Sequence, residues 1–301
     1  MPTTKRGIVL AEERPRSRTR RLVTRLVLVL LAAGLVVAGV VGARGLVSNF
    51  GGPRCQATAA GASVDFDPSQ TAYAATIEAI AEKRGLPARA ATIAIATAIQ
   101  ESKLRNLKYG DRDSVGLFQQ RPSQGWGTVE QIKDPRYSAG RFYGALKKVK
   151  GWQEMRITDA AQKVQRSAYP EAYEKWADES KVLAAALTGR ATGAVECVVP
   201  DTPAMRGSEA AAALLSSLRL DWGKKLSGNA RSAETAGLTV QVTDPSVGWR
   251  FAHWLVSHAS ATGLERVRFG DLEWHAPEGK WQPVTDAQGA GTDAVVAEVF
   301  R

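Results

Sequence analysis

The feature that most constrains this chain is a run of 18 residues without a charge, 26–43, reading LVLVLLAAGLVVAGVVGA. As a helix rising 1.5 Å per residue it spans roughly 27 Å, close to the hydrocarbon thickness of a bilayer. Basic residues crowd its N-terminal side, and positive flanks stay cytoplasmic. Residues 1–25 are therefore expected inside as a basic tail, 26–43 as a single transmembrane helix, and everything after Arg44 outside. A cleaved signal peptide is the competing reading. It is disfavoured by the long basic region before the run and by the length of the run itself. The small triplet Ala57, Thr58, Ala59 lies too far away to serve as its cleavage site. No second run of comparable length follows, which excludes a multi-span transporter.

The net charge of +10 suggests a nucleic-acid partner until its placement is examined. Residues 1–50 hold nine basic and two acidic groups, leaving 31 basic and 28 acidic groups in the other 251 residues. A body so nearly neutral exerts no general pull on a polyanion, so no nucleic acid is expected. There are no Cys-x-x-Cys pairs and no glycine-rich phosphate loop, and no cofactor is expected. The two cysteines, Cys55 and Cys197, both fall on the outer side, where an even count favours a disulfide over two unpaired thiols.

The fold class expected is α+β overall, in separate parts. Residues 44–64 are rich in Gly and Ala and read as a linker. Asp67, Pro68 and Ser69 open a helix that runs to Arg84 and stops at Gly85. Pro87 opens a second helix, 88–102, whose stretch ARAATIAIATAI is apolar on nearly every side and therefore central and buried. Residues 103–127 have loop composition, and helical patterns resume over 134–187 with breaks near Gly151 and Pro170. Residues 65–190 thus read as an all-α domain. The stretch 191–237 reads as a connecting region with one short helix near 209–218. The tail, 238–301, reads as a small α+β domain: a helix over 247–262, with strands over 238–242, 266–269, 271–274, 280–284 and 295–300.

Glu101 is the informative acid. It ends the buried helix, with Ala94, Thr97 and Ala98 on its own face leaving room beside the carboxyl. Lost solvation there disfavours the anion. A carboxylic acid that keeps its proton near neutral pH is what glycosidic cleavage requires. The bland alternative is a solvated glutamate at a helix end.

The run Ile99, Gln100, Glu101, Ser102 resembles the Glu-Ser motif of the lytic transglycosylases, which share a fold with goose-type lysozyme. Ser114 to Gln119 (SVGLFQ) is similar to the Gly-Leu-Met-Gln segment of that family, and Ala168, Tyr169 to its Ala-Tyr-Asn motif. The resemblance covers about 65–190, and the segment with Tyr173 and Trp176 looks most like actinobacterial and phage-associated members. It departs at Lys103 and Leu104 (Gly-Phe in the family), at Phe118 (Met) and at Pro170 (Asn). The resemblance implies that Glu101 protonates the bond between N-acetylmuramic acid and N-acetylglucosamine. Glu101 then deprotonates the muramyl C6 hydroxyl, giving a 1,6-anhydro end. It also implies that Ser114, Gly116, Gln119 and Tyr169 line the cleft, with Tyr169 bonding near Glu101 and Gly116 letting the backbone approach a sugar. A muramidase-type hydrolase would need a second carboxylate. Asp111 and Asp113 are placed for that, although turn chemistry beside Gly110 explains them as well. A non-catalytic wall-binding scaffold stands as the third reading.

Of Trp126, Trp152 and Trp176, Trp126 is assigned to the cleft because it lies in a Gly- and Ser-rich loop. His253 and His258 are five apart, the wrong spacing for one helix face, so no metal is expected. Lys147, Lys148 and Lys150 read as a solvated helix end with some attraction to anionic wall polymers. Trp249, Trp254, Trp274 and Trp281 mark the tail either as an accessory binding module or simply as a small core. The partners expected are peptidoglycan glycan strands, the membrane and unspecified wall proteins. The location expected is the cell membrane, single-pass, with the catalytic part facing the wall.

Overall fold

The computed structural model describes residues 52–223, 230–233, 237–284 and 291–301. The basic tail and the run 26–43 lie outside them. Among the described residues no helix is long and apolar enough to cross a membrane. Helices and antiparallel sheets share one compact unit, Pro53–Arg301, so the chain is α+β.

Two strands open this unit, β1 (Arg54–Ala59) and β2 (Ala62–Phe66). They form a hairpin where a linker was expected. Along β1 the buried positions are Cys55, Ala57 and Ala59. Such small residues carry the strand alternation with little hydrophobic signal, which is why its composition reads as linker. The sheet is completed by β3 (Val195–Val198), pairing with β1 so that Cys55 faces Cys197. These two form a disulfide across a sequence separation of 142.

Helix α1 (Pro68–Lys83) starts where expected. Pro68 sits in its first turn, and Gln70 Oε1 accepts from the Asp67 backbone N–H at 2.8 Å. Helix α2 (Ala88–Ser102) is the buried helix, with every residue from Ala90 to Ile99 inside. Against it pack α1 and, after the short α3 (Val129–Lys133), α4 (Pro135–Leu146), α5 (Ile157–Gln165) and α6 (Ala177–Leu187).

The connecting region is largely structured. It holds β3 and a 16-residue helix, α7 (Gly207–Trp222), with Ala210, Leu214, Leu218, Asp221 and Trp222 buried at helical spacing. Strand β4 (Ala230–Ala233) leads into the tail: β5 (Gly237–Gln241), α8 (Pro245–Ser257), α9 (Ala259–Thr262), β6 (Leu264–Gly270), β7 (Leu272–His275), β8 (Trp281–Pro283) and β9 (Gly291–Val299). The strands make one antiparallel sheet in the order β4-β5-β9-β6-β7-β8. Trp249, Trp254 and Trp274 are buried and Trp281 packs against them. Trp249 meets Trp281 and Phe269 edge-on, with centroids 5.0 and 5.3 Å apart. These four indoles are core.

The tail is not a separate domain, because polar bonds weld it to the helices. Asp221, fully buried on α7, accepts from Thr76 on α1 and Trp254 on α8, both at 2.9 Å, and lies 2.5 Å from Arg136 Nε on α4. A buried carboxylate survives only with such partners. His253 Nε2 accepts the Ala194 backbone N–H at 2.9 Å, and Trp281 Nε1 donates to the Val195 carbonyl at 2.9 Å. Burial holds the imidazole of His253 neutral, pushed down to about 3. His258 stacks on Trp254 at 3.9 Å. Both histidines are thus structural.

Two outcomes follow from these contacts. Reducing the disulfide, or making Cys55→Ser with Cys197→Ser, removes a long-loop crosslink worth about 4–5 kcal/mol in the chain-entropy model. Denaturant titration with and without reductant reads that loss, and an unchanged midpoint contradicts it. The second outcome concerns Glu78, buried on α1, whose carboxyl is raised from 4.5 to about 8, mainly by burial and further by Glu82, with Arg250 opposing. Between those values the folded state holds a proton that the unfolded chain has released, so stability falls as pH rises from about 4.5 to 8. Glu78→Gln should flatten that slope and raise the melting temperature at pH 8; a parallel slope in the variant counts against it.

Candidate active site

Helix α2 carries Glu101 to the surface of the bundle, and its end is clamped from several sides. The Lys103 and Leu104 backbone N–H groups bond back to the Ile99 and Ala98 carbonyls, at 2.9 and 3.1 Å. Both residues are left-handed, at φ 57° and 53°, where the family resembled has Gly-Phe. Gln70 at the start of α1 donates to the Lys103 carbonyl at 2.7 Å, and Asp67 pairs with Arg105 at 2.6 Å. Ser102 Oγ donates to the Leu117 carbonyl at 2.7 Å, fastening the 114–119 segment beside Glu101.

Glu101 itself is half-buried. Ala94, Thr97 and Ala98 are fully buried, so the face expected to leave room is packed core, and the carboxyl emerges beyond it. Its partner is Tyr173, whose Oη donates to Glu101 Oε1 at 2.7 Å. Burial first, and the Glu101 charge second, raise the phenol well above its usual range, so it stays a donor. Among the described residues Glu101 has no ion-pair partner. Next to it, Trp176 Nε1 donates to Gln100 Oε1 at 2.8 Å, and Lys103 Nζ lies 3.9 Å from the centre of the same indole. Burial, followed by the charge of Lys175, lowers the Lys103 ammonium.

Tyr169, expected to bond near Glu101, is 75% exposed. The carbonyl of Pro170 is pinned by Thr158 Oγ1 at 2.6 Å, and the helical turn that follows puts Tyr173 inward instead. Tyr173 lies four positions before Ala177 at the head of α6. Helical spacing from that apolar helix is the signal that points to it. Trp176 is the indole tied to the Glu101 helix, whereas Trp152 is core. Trp126 lies elsewhere, half-buried, on the wall of a separate cavity.

Ser114 is buried and donates to Gln119 Oε1 at 2.9 Å, while Gln119 Nε2 donates to the Gly116 carbonyl at 3.1 Å. These three residues brace one another. Gly116 has φ 79°, and a Cβ there would come within 2.8 Å of the Ile132 carbonyl. The approach of α3 by itself requires glycine here. Asp113 is bound to Arg121 Nε at 2.8 Å and accepts the Ser123 N–H at 2.8 Å. Arg121 first, and Ser123 next, hold its carboxyl below the usual range. Asp111 is exposed, with Arg112 Nε 3.9 Å away. Both aspartates serve the loop.

Neither a family model nor a curated protein sequence matches the chain. The site is therefore argued from its own geometry.

Gly116→Ala would force a left-handed alanine against the Ile132 carbonyl, costing about 1–3 kcal/mol. Denaturant unfolding checks this, and a variant as stable as the parent contradicts the packing role.

Proposed function

We propose that Pro53–Arg301 is the working part of a membrane-anchored lytic transglycosylase acting on peptidoglycan. The observation that carries this reading is the Tyr173–Glu101 bond at the exit of the buried helix. With Oε1 accepting from the phenol, Oε2 is the oxygen left to carry the proton that the reaction transfers. Glu101 gives that proton to the glycosidic oxygen as the bond to C1 of N-acetylmuramic acid breaks. The resulting carboxylate takes the proton of the muramyl C6 hydroxyl, whose oxygen attacks C1 and closes the 1,6-anhydro ring. The proton count balances and the acid is regenerated. No second carboxylate is required, and Asp113 is already committed to Arg121 and Ser123.

The anchor in this proposal is the run 26–43, with 1–25 cytoplasmic and the site facing the wall. The resemblance around Glu101 and 114–119 supplies the substrate class.

The test is wall cleavage by the full chain in detergent, with products identified by mass spectrometry. The parent should release muropeptides with anhydromuramyl ends, and Glu101→Gln should release essentially none. Tyr173→Phe removes a hydrogen bond to an ionisable group, worth about 1.5–3 kcal/mol, and should lower kcat roughly 10- to 100-fold with little change in KM. Reducing ends would identify a hydrolase. Equal release by parent and Glu101→Gln would leave a scaffold.

A further inference from the structure

A cavity of about 860 Å³ opens beside Trp126, and Glu101 does not line it. Five cations line it, Arg84, Arg141, Lys148, Lys163 and Arg166, with no carboxylate on its wall. All five side chains are exposed. Among the described residues none of the five is ion-paired; Arg141 donates only to the Gly125 carbonyl, at 2.8 Å. Several arginines elsewhere do pair with carboxylates: Arg105 with Asp67, Arg121 with Asp113, Arg156 with Asp159 and Glu171, Arg266 with Glu298. The cavity gathers five cations without a carboxylate, in an otherwise near-neutral body. Gly140 and Gly144, one helical turn apart on α4, line it beside Arg84. Cβ atoms there would lie 3.7 and 3.9 Å from the Arg84 guanidinium.

Five like charges around one cavity raise its potential and concentrate counter-ions. A ligand that neutralises them must carry several anionic groups at close spacing. Guanidinium forks match phosphate oxygens in pairs, and lysines add point charge. Isolated carboxylates of peptide stems are too sparse to fill the site. A nucleic acid would want successive stacking platforms, and the cavity offers one half-buried indole. We propose that this cavity binds a phosphodiester or polyphosphate chain. This goes beyond the cleavage assigned to Glu101 and does not depend on it. Placement strengthens the idea. Gln165 of α5 donates to the Phe118 carbonyl at 2.8 Å, and Ser102 to the preceding carbonyl, that of Leu117. The cavity wall and the Glu101 helix thus grip the same strip.

The test titrates the full chain in detergent with a fluorescent poly(glycerol phosphate) oligomer, at roughly 50 and 200 mM salt. Binding should be one oligomer per chain and steeply weaker at the higher salt. Lys148→Gln with Lys163→Gln and Arg166→Gln should weaken it at least about tenfold. Lys147→Gln with Lys150→Gln, which removes charge from the same helix end but not from the cavity, should change it less than about twofold. Lys163→Gln alone, expected to weaken binding about two- to threefold, serves if the triple variant is lost. Inorganic tripolyphosphate competing as well per phosphate as the oligomer makes a free polyphosphate the source; failure to compete makes it a wall polymer. Equal losses in the triple variant and the Lys147/Lys150 pair, no binding at low salt, or tighter binding of a single-stranded oligonucleotide would overturn the proposal.

Discussion

A helix apolar on every side has one place in a small bundle, the middle, and everything near Glu101 follows from that constraint on α2. Its Ala and Ile side chains admit close neighbours all round, so α1, α5 and α6 pack directly on it. Tight packing fixes where the helix ends and therefore where its last acidic side chain emerges. The end is then over-determined: by Gln70 on the Lys103 carbonyl, by Ser102 on Leu117, and by the left-handed pair Lys103 and Leu104. A left-handed non-glycine residue costs about 1–2 kcal/mol, so two in succession persist only where surrounding bonds hold them.

The second constraint is Asp221. A carboxylate with no solvent needs its partners in protein, and here two hydrogen bonds and an ion pair come from α1, α8 and α4. The tail therefore cannot leave the helical part without exposing a charge and its partners together. Glu78 is buried on α1, and that burial favours its protonated form. Two buried acids thus meet burial differently: Asp221 is paired with Arg136, whereas Glu78 is driven toward its neutral form.

Much of this was legible in the sequence. Asp67, Pro68 and Gly85 bracket α1, and the all-round apolar pattern of 88–102 marks α2 and places Glu101 at its end. The tail's strands and helix follow from alternation and spacing. What escaped has a common physical cause. In β1 two of the three buried positions are alanine, which packs without a strong hydrophobic signature, so the strand reads as linker, while α7, expected only as a short helix near 209–218, runs from Gly207 to Trp222. The single-unit architecture escaped because it rests on Asp221, His253 and Ala194, polar contacts between segments far apart in the chain. Tyr173 escaped for a related reason. Adjacency in sequence favoured Tyr169, but the Thr158–Pro170 bond turns the chain so that the later phenol faces inward.

The choice of partner for Glu101 bears directly on the chemistry proposed for it. A guanidinium in the place of Tyr173 would lock the carboxyl as an anion and spoil it as an acid. A second carboxylate would share its proton. A buried neutral phenol does neither: it directs one oxygen and leaves the other to meet a substrate. The nearest basic side chain along the sequence, Lys103, lies over the Trp176 ring, close to Lys175 as well. Its ammonium is thereby engaged on an aromatic face. The indole in turn is held by Gln100, the residue just before the acid. Position, neutrality of the partner and diversion of the local cation are three separate features, and each suits the proton donor and acceptor proposed for Glu101.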